Sequence, residues 1–80
     1  MDPRDVRDAF AANLRRLRQG KGISQEELTY AAGINRSYMS KLEKGASYPG
    51  LEIIAKLATV LEVEPAELIK MAGWQPKGVA

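Results

Sequence analysis

Hydrophobic residues recur every three or four positions along most of the chain, which is the spacing that places them on one side of an α-helix. The first such run consists of Val6, Phe10, Leu14 and Leu17. No stretch alternates polar and apolar residues for long enough to indicate a β-strand. The pattern predicts an all-α protein whose first helix is capped by Asp2 and ends at Gly20.

Two more helix starts lie close together in the middle of the chain. Ser24 followed by Glu27 is a capping box, in which each side chain accepts a hydrogen bond from the backbone N–H of the other residue. Gly33 is expected to end this short helix, and Asn35 can cap another one immediately. Because so short a turn makes two helices cross steeply, the spacing predicts a helix-turn-helix core over residues 24–45.

The second half of the chain is predicted to add two helices and a tail. Gly45 ends the third helix and is followed by a short loop. An apolar stripe then predicts a fourth helix, and Pro65 begins a fifth helix that ends at Gly73. The stripe consists of Leu51, Ile54, Leu57, Ala58 and Leu61. We therefore expect one domain over residues 1–73 and a tail over residues 74–80.

Composition narrows the functions that this chain can have. Eighty residues make one domain, and 45% hydrophobic with 28% charged residues is typical of a folded globular protein. The chain has no cysteine and no histidine, which excludes disulfides, the usual zinc sites and catalysis by either residue. We expect no cofactor, no bound metal and no enzymatic activity. Since no membrane-spanning run or signal peptide is present, we also expect a cytoplasmic protein.

Positive charge is concentrated in the middle of the chain. The formal net charge of +2 is too small to indicate an anionic partner by itself. Residues 13–48, however, carry seven basic and three acidic side chains, whereas the segments on either side each have a net charge of −1. The basic region therefore coincides with the predicted helix-turn-helix.

The helix after the tight turn carries a polar side with few acids. At about 100° per residue, Met39 and Leu42 share one face of this helix. The other positions form two adjoining polar rows, which are Arg36, Ser40 and Lys44 in one and Ser37 and Lys41 in the other. Such side chains offer charge for phosphates, forked donors for guanine and short hydroxyls that allow close approach. The rows alone leave two interpretations open, a solvated face and a DNA-binding face.

The segment from Ser24 to Val63 resembles the phage Cro and repressor type of helix-turn-helix, also called the xenobiotic-response-element family. The matching residues occur in order between about residues 14 and 69: Gln25, Leu28, Ala32-Gly33-Ile34, Ser40, Leu42-Glu43, Gly45, Pro49, Leu57-Ala58 and Leu61. The resemblance implies a compact, five-helix, lambda-repressor-like DNA-binding domain. It also implies that the helix of residues 35–44 lies in the major groove.

The resemblance further implies roles for single residues. Those at base-reading positions are Arg36, Ser37 and Lys41. Those at positions that contact the sugar-phosphate backbone are Ser24, Gln25, Asn35, Ser40 and Lys44. Ser24 and Asn35 fit capping alone as well as capping combined with a DNA contact, and both interpretations stay open. The free backbone N–H groups at the two helix starts add donors for phosphates.

An acid among these positions has a structural explanation in the family. The equivalent of Glu43 commonly pairs with an arginine of the first helix, and Arg18 is at the matching position. The resemblance therefore implies a structural ion pair between Arg18 and Glu43. The alternative is two charges that are solvated separately.

Three residues near these positions have no assigned role: Thr29, Tyr30 and Tyr48. Thr29 stands where the family usually has alanine, which leaves the distance between the second and third helices in doubt. Tyr30 is expected to pack against the domain, because a tyrosine on a helix flank usually does so with its hydroxyl in water. For Tyr48 both packing and a phosphate contact stay open.

The expected partner is a double-stranded DNA operator. Because one helix covers only a few base pairs, we expect a homodimer on a near-palindromic site. Apolar residues near the C-terminus are the candidates for the dimer interface, with a loose tail as the alternative: Val63, Ile69, Met71 and Trp74. The resemblance implies a sequence-specific transcriptional regulator. A protein-interaction module and a carboxylate-dependent nuclease are the other classes that the residues allow.

Overall fold

A computed structural model describes residues 1–73 of the chain, which form five α-helices and contain no β-strand. The helices are α1 (Pro3–Lys21), α2 (Gln25–Ala32), α3 (Arg36–Lys44), α4 (Leu51–Leu61) and α5 (Pro65–Ile69). The predicted all-α, five-helix architecture is confirmed. The end predicted for the fifth helix at Gly73 is wrong, because the backbone is already extended at Lys70 and α5 ends at Ile69. None of these helices has both the length and the apolar character needed to cross a membrane. The predicted tail, residues 74–80, lies outside the described residues.

The first helix begins as predicted but ends later. The Asp2 side chain accepts a hydrogen bond from the Arg4 backbone N–H at 2.8 Å and caps the helix. The expected end at Gly20 is wrong, because the helix continues to Lys21 and is closed by Gly22 in the left-handed conformation, with φ of 76°. A glycine within a helix only weakens it, whereas the residue that closes the helix must adopt positive φ.

The caps of the helix-turn-helix core are present as predicted. The Ser24 hydroxyl accepts from the Glu27 backbone N–H, and the Glu27 carboxylate accepts from the Ser24 backbone N–H, both at 3.0 Å. The backbone hydrogen bond from Ser24, with its side-chain contact, lowers the pKa of Glu27 below its usual value. Asn35 accepts from two backbone N–H groups in the first turn of α3. Gly33 closes α2 with φ of 66°, so three residues separate α2 from α3.

One hydrophobic core holds the helices together. In this arrangement α1 packs against α3 and α5, while α2 packs against α3 and α4. The fully buried large side chains come from all five helices: Phe10, Leu14, Leu28, Met39, Leu42, Leu57 and Leu68. Ile34, in the turn between α2 and α3, belongs to the same core. Its burial just before the Asn35 cap is typical of a hydrophobic staple, which sets the angle at which α3 begins.

Two expectations about burial are wrong. Leu51, predicted as the first residue of the buried stripe of α4, is 85% exposed, because the buried part of that helix is confined to Leu57, Ala58 and Leu61. Tyr30, expected to pack, is 91% exposed on α2. Helical periodicity places a residue on one side of a helix. The residue is buried only if a neighbouring element covers that side at the same position along the helix axis.

The departure at Thr29 is accommodated within its own helix. Thr29 is buried, and its hydroxyl donates to the Gln25 backbone carbonyl at 2.8 Å. Because the hydroxyl has a partner one turn away, its burial leaves no unpaired polar group. The threonine therefore does not prevent α2 and α3 from packing against each other.

Candidate nucleic-acid interface

The side of α3 opposite the core is polar and accessible. Met39 and Leu42 are fully buried, so the core holds this helix from one side. Four side chains on the other side are exposed and, within residues 1–73, have no ion pair or side-chain hydrogen bond: Arg36, Ser37, Lys41 and Lys44. The structure thus leaves the donors of these side chains available to another molecule.

The remaining residues of the predicted DNA contact differ in accessibility. Ser24 and Asn35 are exposed, although their side-chain oxygens already accept the capping hydrogen bonds. Ser40, a member of one polar row, is half-buried. Gln25 is also half-buried, and its amide group donates to Glu43. Capping uses only the acceptors of Ser24 and Asn35, so the hydroxyl hydrogen and the amide hydrogens are still available as donors.

A two-pronged ion pair joins α1 to α3. Nε of Arg18 donates to Oε2 of Glu43 at 2.7 Å, and Nη2 donates to Oε1 at 3.1 Å. The third guanidinium nitrogen, Nη1, donates to the backbone carbonyl of Ile23 at 3.0 Å. The Glu43 side chain is only 5% exposed and that of Arg18 14%. Both charges are therefore largely out of water and compensated by each other, which fixes α3 relative to α1.

Two further side chains contact Glu43, and the sequence patterns did not reveal these contacts. Nε2 of Gln25 donates to Oε1 of Glu43 at 3.2 Å, so the first residue of α2 joins the same network. Nη1 of Arg15 donates to the backbone carbonyl of Glu43, near the C-terminal end of α3. Arg15 lies three residues before Arg18, and this spacing places both on the α3 side of α1. Three helices meet at Glu43, and they hold the exposed side of α3 in a defined orientation.

The loop after α3 is tied back to the domain. The Tyr38 hydroxyl donates to the backbone carbonyl of Tyr48 at 3.0 Å. The Arg7 guanidinium lies 5.0 Å from the centre of the Tyr48 ring, within the range of a cation–π contact. Gly45 closes α3 with φ of 73°, and a Cβ at this position would lie 3.0 Å from a carboxylate oxygen of Asp8. Both the backbone conformation and the close approach therefore favour glycine at the end of α3.

The accessible side of α3 is positively charged. Arg36 lies at its first residue and Lys41 and Lys44 lie in its last turn, where the backbone carbonyls favour cations. The acid nearest to them in the sequence, Glu43, is compensated by Arg18. Residues 1–73 contain no group of carboxylates that could hold a metal ion. The arrangement is suited to binding a phosphate backbone and donating hydrogen bonds to base edges.

Comparison with known proteins supports this interpretation. Residues 9–69 match the family described as a helix-turn-helix domain. The chain is 35% identical over 74 residues to the uncharacterized HTH-type transcriptional regulator y4dJ of Sinorhizobium fredii. This alignment covers 92% of the present chain and 96% of the relative.

Two solved structures share the fold. The restriction-modification controller protein C.AhdI of Aeromonas hydrophila superposes with a TM-score of 0.74 at 45% identity, over 78% of this chain and 94% of that one. The hypothetical transcription factor NHTF of Neisseria superposes with a TM-score of 0.81 at 36% identity, over 90% and 83% of the two chains. The resemblance drawn from the sequence is confirmed. The chain therefore belongs to the xenobiotic-response-element type of helix-turn-helix family, whose members are DNA-binding transcriptional regulators and not enzymes.

Proposed function

We propose that the protein is a cytoplasmic, sequence-specific transcriptional regulator that binds a near-palindromic operator as a homodimer, with α3 in the major groove. The observation that carries the proposal is the division of α3 into two sides. One side is held by the core and the Glu43 network, whereas the other presents cations and hydroxyls that have no partner in the described chain. The major groove, about 12 Å wide, admits one such helix.

Three residues are proposed to read base edges. Arg36 lies at the first turn of α3, where its guanidinium can donate two hydrogen bonds to O6 and N7 of one guanine. Ser37 is short enough to let the helix backbone approach the bases. Lys41 lies one turn after Ser37 in the same polar row, within reach of a neighbouring base pair. All three side chains are exposed, which is required for a base contact.

Five residues are proposed to contact the sugar-phosphate backbone: Ser24, Gln25, Asn35, Ser40 and Lys44. The starts of α2 and α3 carry backbone N–H groups and the positive end of the helix dipole, both of which favour a phosphate. Gln25 gives one amide hydrogen to Glu43 and keeps a second for DNA. The network would thus hold this side chain in place before DNA binds.

The proposed dimer follows from the size of the binding surface. A single α3 helix covers too few base pairs to select one site in a genome, whereas two copies related by a two-fold axis double the contact. The C-terminal residues proposed for the interface are not equivalent. Val63 packs partly against the core, Ile69 is exposed, and Trp74 lies outside the described residues. Met71 is half-buried.

Selection of bound sites from random double-stranded DNA tests the proposal. We expect a near-palindromic consensus whose half-sites lie about 10–10.5 base pairs apart, since that spacing places two major grooves on one face of the duplex. A gel-shift titration of the selected site at two salt concentrations would then separate the specific complex from general attraction to phosphates.

In a matched control variant, Arg36, Ser37 and Lys41 are all replaced by alanine. The helix caps Ser24 and Asn35 are unchanged. This variant should enrich no motif. If the unmodified chain also enriches no motif and forms no complex at low salt, the proposal is wrong and a protein-interaction module becomes the better explanation. A single, asymmetric motif would contradict the proposed dimer but not sequence-specific DNA binding.

A further inference from the structure

The side-chain amide of Gln25 is held with its nitrogen toward the protein. Nε2 donates to Oε1 of Glu43 at 3.2 Å, and this carboxylate also accepts from Arg18 through both of its oxygens. A carboxylate that is paired with a guanidinium offers only acceptors to its other neighbours. If the Gln25 amide turned over, its oxygen would face a carboxylate oxygen and be repelled. The ion pair therefore selects one of the two orientations that the amide could adopt.

The selected orientation determines what Gln25 offers to another molecule. One hydrogen of Nε2 is used by Glu43, so the second hydrogen and Oε1 lie on the side away from the carboxylate. Within residues 1–73, Oε1 accepts no hydrogen bond, and it is not among the fully buried polar atoms that lack a partner. Solvent therefore reaches it. Gln25 begins α2 directly after the Ser24 cap, where a phosphate is proposed to bind.

Glu43 can orient Gln25 because Glu43 is itself fixed. Its side chain is almost completely buried, and its partner Arg18 also donates to the backbone carbonyl of Ile23, two residues before Gln25. One arginine of α1 thus contacts both the carboxylate and the turn that leads into α2. The Gln25 amide is therefore ordered before any partner arrives. Ordering such a side chain only on binding typically weakens affinity by about 2–12-fold.

We propose that Glu43 is a positioning residue for DNA binding, which holds the Gln25 amide in the orientation that contacts DNA. The proposal rests on the function put forward above and gives the pair of Arg18 and Glu43 a role in affinity in addition to its role in the fold. In the alternative, the pair only joins α1 to α3. The two roles differ in one respect, because only positioning makes the effect of the pair on affinity depend on Gln25.

Replacement of both members of the ion pair separates the two roles. In the variant that combines Arg18→Met and Glu43→Met, one positive and one negative charge are lost, so the net charge and the general attraction to phosphates stay the same. Apolar replacement of a buried ion pair at similar volume is often neutral for stability. The Gln25 amide, however, loses the group that orients it. Affinity for the selected operator, measured by fluorescence anisotropy, should fall about 2–12-fold with an unchanged salt dependence.

A double-mutant cycle shows whether this loss passes through Gln25. In a Gln25→Ala background, the same two replacements should change the affinity less than about twofold. Equal losses in both backgrounds would overturn the proposal, because the pair would then act only on the fold. Asn13→Ala is the matched control, since it removes two hydrogen bonds between helices, to the carbonyls of Leu68 and Lys70, and leaves Gln25 untouched. It should not change the affinity, and a loss as large as that of the paired variant would likewise contradict positioning.

Nuclear magnetic resonance of the free, unmodified chain gives a second measurement that does not depend on the folding of any variant. The side-chain amide of Gln25 should have a higher ¹⁵N order parameter than that of Gln19, which is exposed on α1. Equal order parameters would overturn the proposal, although the proposed function would stand. If the unmodified chain binds no operator while the Gln25 amide is ordered, the proposed function is wrong and the positioning role falls with it.

Discussion

Glu43 is an acid next to the surface that is proposed to bind DNA, and its surroundings explain why it is tolerated there. Its carboxylate accepts two hydrogen bonds from Arg18 and one from Gln25, and it is almost completely buried. Removing two charges from water is costly, but the cost is offset when the pair is close and every polar atom has a partner. The side chain thus orients α1, α2 and α3 without presenting its charge to phosphates.

Replacement of Glu43 tests this structural role. Glu43→Ala should lower the free energy of unfolding by about 3–5 kcal/mol, because it leaves the Arg18 charge largely buried without its partner. Urea denaturation followed by circular dichroism measures the change. Lys56→Ala, which breaks an exposed ion pair with Glu52, is the control and should leave the transition midpoint nearly unchanged. Equal stability of the two variants would show that the Glu43 network contributes little.

Alanine variants of Arg36 and Lys44 are expected to change DNA binding in different ways. Arg36 is proposed to read a base, whereas Lys44 is proposed to contact a phosphate. Arg36→Ala should cost about 1–3 kcal/mol at the selected operator and relax the preference at one base pair. Lys44→Ala should weaken binding to all sequences and reduce the salt dependence of log K by about one. Fluorescence anisotropy at several salt concentrations measures both. An Arg36→Ala loss that is equal on every sequence, or an unchanged Lys44→Ala slope, would exclude the corresponding role.

The helices differ in how their ends are closed. Glycines with positive φ close α1, α2 and α3, whereas α4 is closed by Glu62 with φ of 57°. The β-carbon of an ordinary residue disfavours this conformation. The Lys21 ammonium contacts the Glu62 carboxylate and lowers its pKa. Because the pKa is lowered, any stability from this contact is present above the usual pKa of a glutamate and is lost as the pH falls through the lowered value.

Glu62→Gly should raise the thermal midpoint by roughly 2–5 °C at neutral pH, since glycine adopts positive φ without strain. Differential scanning calorimetry measures the shift. Glu62→Ala is the control, because it removes the contact with Lys21 but keeps the β-carbon, and its midpoint should not rise. A midpoint for Glu62→Gly at or below that of Glu62→Ala would indicate that the strain at this position is negligible.

In the molecule as a whole, one short loop joins α4 to the helix that is proposed to contact DNA. Residues 45–50 form this loop between α3 and α4. The hydrogen bond from Tyr38 to Tyr48 and the contact of Arg7 with the Tyr48 ring hold this loop. In the proposed dimer, a loop held in this way would help to give the two α3 helices a defined separation.

An operator with altered spacing tests this rigidity. Insertion of about five base pairs between the half-sites rotates them by half a helical turn, so a rigid dimer can engage only one of them. Affinity should then fall at least tenfold, to the level of a single half-site, as measured by gel shift. A spacer of unchanged length but different sequence is the control and should bind nearly as well as the selected operator. Equal binding to both spacings would indicate that the two copies act independently.

The number of helices, the side-chain caps of α2 and α3 and the family all follow from local sequence. Ser24 with Glu27, and Asn35 with the first turn of α3, are partners within three residues of each other, so spacing alone predicts them. Periodicity likewise identified Met39 and Leu42 as the buried side of α3. The residues proposed to contact DNA were identified from their positions in the family pattern. Their roles stay predictions.

Other features depended on how distant parts of the chain pack together. The bond from Gln25 to Glu43 joins residues 18 positions apart, and no pattern within one helix encodes it. The exposure of Tyr30 and Leu51 was missed for the same reason. The end of α1 was missed for a local reason, because Gly20 and Gly22 both fit a helix end and only Gly22 closes the helix. Sequence periodicity specifies the direction in which a side chain points from its helix. Whether it meets another helix, a neighbouring carboxylate or solvent is set by the positions of the other elements, because burial and long-range hydrogen bonds arise only when the helices assemble.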